Sequence, residues 1–273
     1  MNSIKFTIVR QSDNLTGIEN ALVNFNNIFD TNYQKMDYWV EYLKSIELVV
    51  NIPKTILEKL FLEKYHSYFP NENIELINKA LILLDKYEQW KNKYCLYLKS
   101  ICFLETESNF KGRKITSLTL PTFPFCSFFS ENAFIHLPPT IFKEKSHLPL
   151  SENILHEAVH QFVSISIIEN KIFIKDFDTK KSPKVPISWR KNDIEERNRS
   201  WELDRCIHAF YVYAEVYKYR KFINKEIHVS YYDEIDIMSS KNNRNYLGSN
   251  LVKFQDYFKK DALSDINKIM DEE

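Results

Sequence analysis

Three glycines in 273 residues, Gly17, Gly112 and Gly248, are too few and too scattered to build a phosphate-cradling loop. Such loops cluster glycine so that backbone N–H groups can approach an anion closely. P-loop nucleotide hydrolases and the usual dinucleotide-binding folds are thereby excluded. Excess charge is also missing: 37 basic and 37 acidic residues give a formal net charge of zero. That balance removes the bulk attraction on which nucleic-acid and anionic-membrane binding depend. No run approaches the roughly 20 apolar residues of a membrane span. The opening MNSIKFTIVRQSDN lacks the basic, apolar, small-residue order of a signal peptide. A cytoplasmic protein with no nucleic-acid or membrane partner is expected. Four cysteines (Cys95, Cys102, Cys126, Cys206) form no CxxC pair and read as free thiols buried in a reducing compartment.

What the chain does have is apolar mass. Hydrophobic residues make up 44%, with 20 Phe and 16 Tyr, enough to bury a core without disulfides. Residues 4–9 suggest a short strand, and 17–105 carry apolar residues at helical steps. Pro53 is placed to open a helix that Pro70 ends. Asn71 or Asn73 can cap the next, with Ile74, Ile77, Leu81 and Leu84 on one face. From about residue 109 the texture changes: 113–137 reads as two or three short strands, and prolines keep 138–150 in a loop. Ser151 is placed to cap a helix through about 169, followed by a strand at 171–176 and a polar loop at 178–192. A long helix is expected over 193–223 and an amphipathic one over 248–270. The stretch 1–108 thus reads as helical scaffold and 109–273 as the region that carries chemistry, within one continuous domain.

That chemistry centres on His156-Glu157-Ala158-Val159-His160. Histidines four apart stand one above the other on a helix and can chelate one ion. Leu155, Val159, Phe162 and Val163 give the same helix an apolar side. A mononuclear site needs a third ligand. Position 180, about 20 residues on, is Lys180, and the nearby acids Asp176 and Asp178 fall in or after the expected strand. No histidine follows at the HExxHxxGxxH spacing either. The best remaining ligand is His208, within WELDRCIHAFYVYAEVY. In helical register Trp201, Asp204, Arg205 and Glu215 share its face, and Arg197 falls close to the same stripe. Asp204 or Glu215 could then orient the His208 ring.

Together, the HEAVHQ helix, the PISWR segment at 186–190 and the IHAFYVYAEVY segment at 207–217 resemble the HExxH-motif peptide-modifying enzymes of bacterial natural-product clusters. These are understood as α-ketoglutarate-dependent peptide β-hydroxylases. The resemblance covers roughly residues 150–220. It implies His156, His160 and His208 as ligands of Fe(II), a peptide as substrate, and α-ketoglutarate as cosubstrate. Arg190 of the Trp-Arg pair is then a candidate for the distal carboxylate, with Arg197 and Arg205 as rivals from helix geometry. Three protein ligands would leave positions on a six-coordinate ion for a keto acid and O₂. An arginine suits a carboxylate because it stays charged and can bind it with two parallel hydrogen bonds. Two other classes stay open. A zinc metallopeptidase would use Glu157 as general base on a metal-bound water. A non-enzymatic protein would hold a structural ion or none. The fold expected is α+β, predominantly helical, with a small antiparallel sheet beside two metal-bearing helices.

Overall fold

The computed structural model describes residues 52, 54–60, 62–91, 93–98, 100–106, 115–120, 125–135, 144–227 and 231–272. The strand expected at 4–9 and the helices expected before residue 52 lie outside these. The fold is α+β and predominantly helical, as expected. The chain divides into two compact units, 1–161 and 162–273.

The first unit is built on a four-stranded sheet of order β1-β2-β4-β3. Helix α1 (Lys54–Lys59) precedes β1 (Tyr65–Tyr68), and α2 (Ile74–Lys86) and a single turn at Tyr94–Tyr97 lead into β2 (Ser100–Thr106). Strands β3 (Ser117–Thr119) and β4 (Cys126–Ser130) follow. Strand β1 pairs antiparallel with β2 and β3 antiparallel with β4, but β2 and β4 run parallel, with Cys102 opposite Phe128. The main sheet is therefore mixed. Its two central strands are buried almost throughout, so they read as unbroken apolar runs without a period of two. That is why β2 was legible only as part of a helical stretch: SICFLET carries no alternation to betray a strand, while β1, an edge strand of four residues, is too short to show a period.

On one side, Cys102, Leu104, Cys126 and Phe128 join Leu57, Leu60, Leu62 and Tyr65 in a closed cluster. Phe103, between Cys102 and Leu104, stacks on Phe134 at 5.6 Å and meets Phe129 at 6.0 Å. Helix α2 buries Ile77, Leu81 and Leu84 as its pattern predicts, while Ile74 at its start is only half-buried. Neither Asn71 nor Asn73 caps it through a side-chain hydrogen bond: Asn71–Asn73 forms a 3₁₀ turn.

Helix α3 (His147–Ile168) begins four residues ahead of Ser151 and takes Pro149 into its first turn. Proline is tolerated there because the first N–H groups of a helix have no acceptor within it. Ser151 is not the cap; its hydroxyl donates to Leu148 O at 2.7 Å. The division between the two units falls within α3, after Gln161.

The second unit holds the last turns of α3, a two-stranded antiparallel sheet and three helices. Strands β5 (Lys184–Pro186) and β6 (Ser200–Glu202) pair with Val185 opposite Trp201. Helix α4 (Leu203–Glu226) packs on α5 (Glu234–Lys253), and α6 (Lys260–Asp271) closes the group. The expected strand at 171–176 is reduced to one bridge, Phe173 to Phe258, where Phe173 also stacks on Phe177 at 3.7 Å. The expected helix at 248–270 is two helices with a break at residues 254–259. No described helix is long and apolar enough to cross a membrane.

Candidate metal centre

The motif occupies the middle of α3, as its apolar neighbours dictate. Leu155, Ala158 and Val159 are fully buried, and this fixes which way the remaining side chains face. His156 and His160 are half-buried and tilted against each other, ring centroids 4.8 Å apart. Their Nε2 atoms are 3.1 Å apart. Two imidazole nitrogens held at roughly 2.0–2.1 Å from one ion, at angles of about 90–110°, lie roughly 2.8–3.4 Å from each other. The pair thus has the bite of a chelate. Without an ion the same distance is a hydrogen bond, one ring donating Nε2–H and the other accepting.

Glu157 is 2% exposed, with Oε1 4.0 Å from His156 Nε2 and Oε2 buried without a hydrogen-bond partner. A buried carboxylate oxygen with no donor is costly in an apolar setting. It is the kind of orphan that a cation, a water or a substrate group satisfies.

His208 lies in the second unit, sixth residue of α4. Burial disfavours its protonated form and lowers its pKa to about 4. The ring is therefore neutral at physiological pH, the form in which histidine ligates. Of its expected orienting partners, Asp204 has Oδ1 buried without a hydrogen-bond partner, and burial raises its carboxyl above the ordinary range. Glu215 faces Lys218 at 3.6 Å.

The helical stripe expected to run from Arg197 to Glu215 survives only in part: Asp204, Arg205, His208 and Glu215 lie on α4. Helix α4 begins only at Leu203, so Arg197 and Trp201 precede it. Residues 191–199 carry charge without apolar period, and Asp193 folds them into a loop instead. Its Oδ1 accepts from Glu195 N and Asn198 Nδ2, and its carbonyl accepts from Arg199 Nε. These hydrogen bonds hold the Asp193 carboxyl below the ordinary range, the Asn198 amide contributing most.

The loop nevertheless gathers the three arginines. Arg190 ends the turn Ser188–Arg190 and bonds Asp193 Oδ2 through Nη1 at 3.3 Å. Arg197 pairs with Glu195 at 2.7 Å. Arg205 donates to Arg197 O at 3.2 Å and to Asn198 Oδ1 at 3.0 Å. Burial lowers its pKa; Glu202 opposes the shift, and the charges of Arg190 and Arg197 add to it. Beside them Trp189 meets Trp201, Tyr213 and Tyr246 edge-on at 5.6–5.9 Å.

Among the described residues, no group of three or more His, Cys, Asp or Glu side chains is placed to hold one ion. What the structure does bring together is the His156–His160 pair, and separately the arginines. His136 and His228 lie outside the described residues. His66 pairs with Glu105 on the β1–β2 ladder. Cys102, Cys126 and Cys206 are buried free thiols, their pKa values raised by desolvation. In the sequence Asn153 reads only as part of the helix start, with Ser151, and Gln161 carries no expectation. Their signal was the four-residue spacing with Glu157, which puts a polar stripe on an otherwise buried face.

No family model matches the chain, and no curated protein matches it either.

Proposed function

We propose that this chain is a metal-dependent enzyme, an Fe(II)/α-ketoglutarate oxygenase that hydroxylates a side-chain β-carbon of a ribosomally made peptide. The observation that carries the metal half is the 3.1 Å separation of the His156 and His160 Nε2 atoms on one helix face. His208, kept neutral at physiological pH by desolvation of its ring, is the third ligand the reading calls for. The iron, the keto acid and the peptide rest on the resemblance of residues 150–220. For the keto acid alone, the loop that holds Arg190, Arg197 and Arg205 offers guanidinium groups from which one could bind a carboxylate. Bound Fe(II) would activate O₂, the oxidant, with the keto acid giving up two electrons as it is decarboxylated to succinate; the protein would supply imidazoles of fixed direction and an arginine that orients the diacid.

One observation favours a second reading, a zinc hydrolase. Glu157 sits beside His156 with an oxygen that no group among the described residues uses, as a general base for water would. The two readings separate in one experiment. Metal-free protein receives Fe(II) and α-ketoglutarate under anaerobic conditions and its visible spectrum is recorded, with His208→Ala as control. A broad charge-transfer band in the native protein, lost in the variant, supports the oxygenase and its third ligand together. Absence of the band, with zinc retained through purification, overturns it in favour of the hydrolase.

A further inference from the structure

Asn153, Glu157 and Gln161 recur every fourth residue along α3 and so form one stripe of the helix. The two outer members are tied to main chain beyond the helix. Gln161, 1% exposed, uses both ends of its amide: Phe125 N–H donates to Oε1 and Nε2 donates to Cys126 O, each at 3.1 Å. Asn153 Nδ2 donates to Ala133 O at 3.1 Å, and to Pro149 O of its own helix at 2.9 Å. The contacts march in opposite senses, from Asn153 to Gln161 on the helix and from Ala133, in the 3₁₀ turn Glu131–Phe134 after β4, back to Phe125, just before that strand. Two points eight residues apart on each chain fix both the rotation and the axial position of α3.

Between the two points sits Glu157, buried, with Oε2 unpartnered. Left to itself, a helix carrying such a side chain would roll to bring it to water, because a buried carboxyl oxygen without a hydrogen-bond donor is unfavourable. The backbone at one clamp point is itself strained: Phe125 has φ 64°, the left-handed region that non-glycine residues avoid. Gln161 engages the N–H of that same residue. A costly placement held by bonds on either side of it is the arrangement of a pre-organised site.

We propose that Asn153 and Gln161 are positioning residues, a two-point clamp that keeps Glu157 buried with one oxygen free and keeps the His156 and His160 rings pointing in one direction. The inference deepens the proposed metal centre and rests on that reading for the task of the two histidines; the placement of Glu157 does not depend on it.

The test uses the full chain, free of metal, with Gln161→Met, which keeps the length of the side chain and removes both hydrogen bonds. Unfolding by denaturant is followed for Gln161→Met, Glu157→Leu and the double variant, and Co(II) binding is titrated by its visible absorption. A clamp that holds an unfavourable carboxylate in place predicts coupling: the loss of stability caused by Gln161→Met falls to half or less once Glu157 is leucine. Co(II) affinity of the single variant falls about tenfold, as when a group supporting metal ligands is removed. Additive stability effects would overturn the role assigned toward Glu157. Unchanged Co(II) affinity would overturn the role toward the histidines. If the native protein binds no Co(II), the metal reading fails, while the coupling still decides the clamp. Should Gln161→Met not fold, Asn153→Ala, at the less buried end, carries the same comparison with the same two outcomes.

Discussion

The guanidinium of Arg205 lies 4.6 Å from the centre of the Trp201 ring, where the helix α4 takes over from strand β6. A cation over an indole face is worth about 0.5–1 kcal/mol at an accessible site, and Arg stacks there better than Lys. Two further hydrogen bonds commit the same side chain to Arg197 O and Asn198. Arg205 is thus held by its own loop, more firmly than Arg190, which bonds Asp193 through Nη1 alone among these residues. Arg205→Lys is expected to lower unfolding stability by about 1 kcal/mol while leaving α-ketoglutarate affinity within a factor of about two. Arg190→Lys should do the reverse, weakening the keto acid about tenfold or more through loss of the planar fork. Calorimetric titration of both variants checks the assignment, and a reversed pattern would make Arg205 the anchor.

The histidine pair makes a simpler prediction. An ion that binds only the folded chain stabilises it, by about 2.7 kcal/mol when its concentration is a hundred times its Kd. Zn(II) or Co(II) should therefore raise the midpoint of thermal unfolding of the native protein. His156→Ala and His160→Ala should each abolish that rise, since one imidazole no longer chelates. A rise that survives both substitutions would place the ion elsewhere.

His208 gives the metal-free protein a pH dependence whose sign is fixed. Its pKa is about 4 in the folded chain and about 6.5 when unfolded, so folding favours the neutral ring. The full contribution is present above about pH 6.5. It declines as the pH falls through the window from 6.5 to 4, where the unfolded chain takes up the proton and the folded one does not. The loss should reach about 3 kcal/mol at the bottom of that window. Denaturant unfolding from pH 7.5 to 4 should show it, and His208→Phe should flatten that part of the profile. A profile unchanged by the substitution would mean that the ring is not desolvated.

At Gly248, α5 leaves no room for a side chain against Met270 and Phe210. A methyl group there would stand 2.4 Å from Met270 Sδ and 2.8 Å from Phe210 Cε2. Helix propensity alone would favour alanine by about 1 kcal/mol. Met270 can swing aside, but the Phe210 ring is fully buried, so overpacking at about 1–3 kcal/mol wins. Gly248→Ala should be destabilising by about 1–2 kcal/mol, and Met270→Ala in the same chain should recover only part of that loss. Thermal unfolding of the three variants checks it; a stabilised Gly248→Ala would show that the ring can give way.

The sequence carried the helix of the motif because its signal is local: apolar residues at three- and four-residue steps beside two histidines. It also carried the α+β class. It misplaced the start of that helix, since Pro149 reads as a loop residue although a first helical turn accepts it. It missed β2 because a strand buried on both faces loses the alternation that marks a strand, and β1 because four residues are too few to show a period. Trp201 was assigned to the face of α4 from spacing alone, yet its place is set by pairing with Val185, sixteen residues away in the chain and invisible to any local period. The clamp on α3 had the same difficulty: the four-residue spacing of Asn153, Glu157 and Gln161 was there to read, but not their partners Ala133, Phe125 and Cys126.

The parallel pairing of β2 with β4 also bears on time. Antiparallel neighbours can close across a short turn, whereas a parallel pair must wait for the chain between its strands to cross over, and such non-local pairings slow folding. Because Gln161 takes its two bonds from the start of β4, the histidine pair is expected to gain a fixed frame only after that crossover is complete. A newly made chain would then pass through a stage in which α3 is already helical but unable to keep an ion. On the proposed metal reading, capture of the ion would be a late event of maturation, one that a misfolded sheet never reaches.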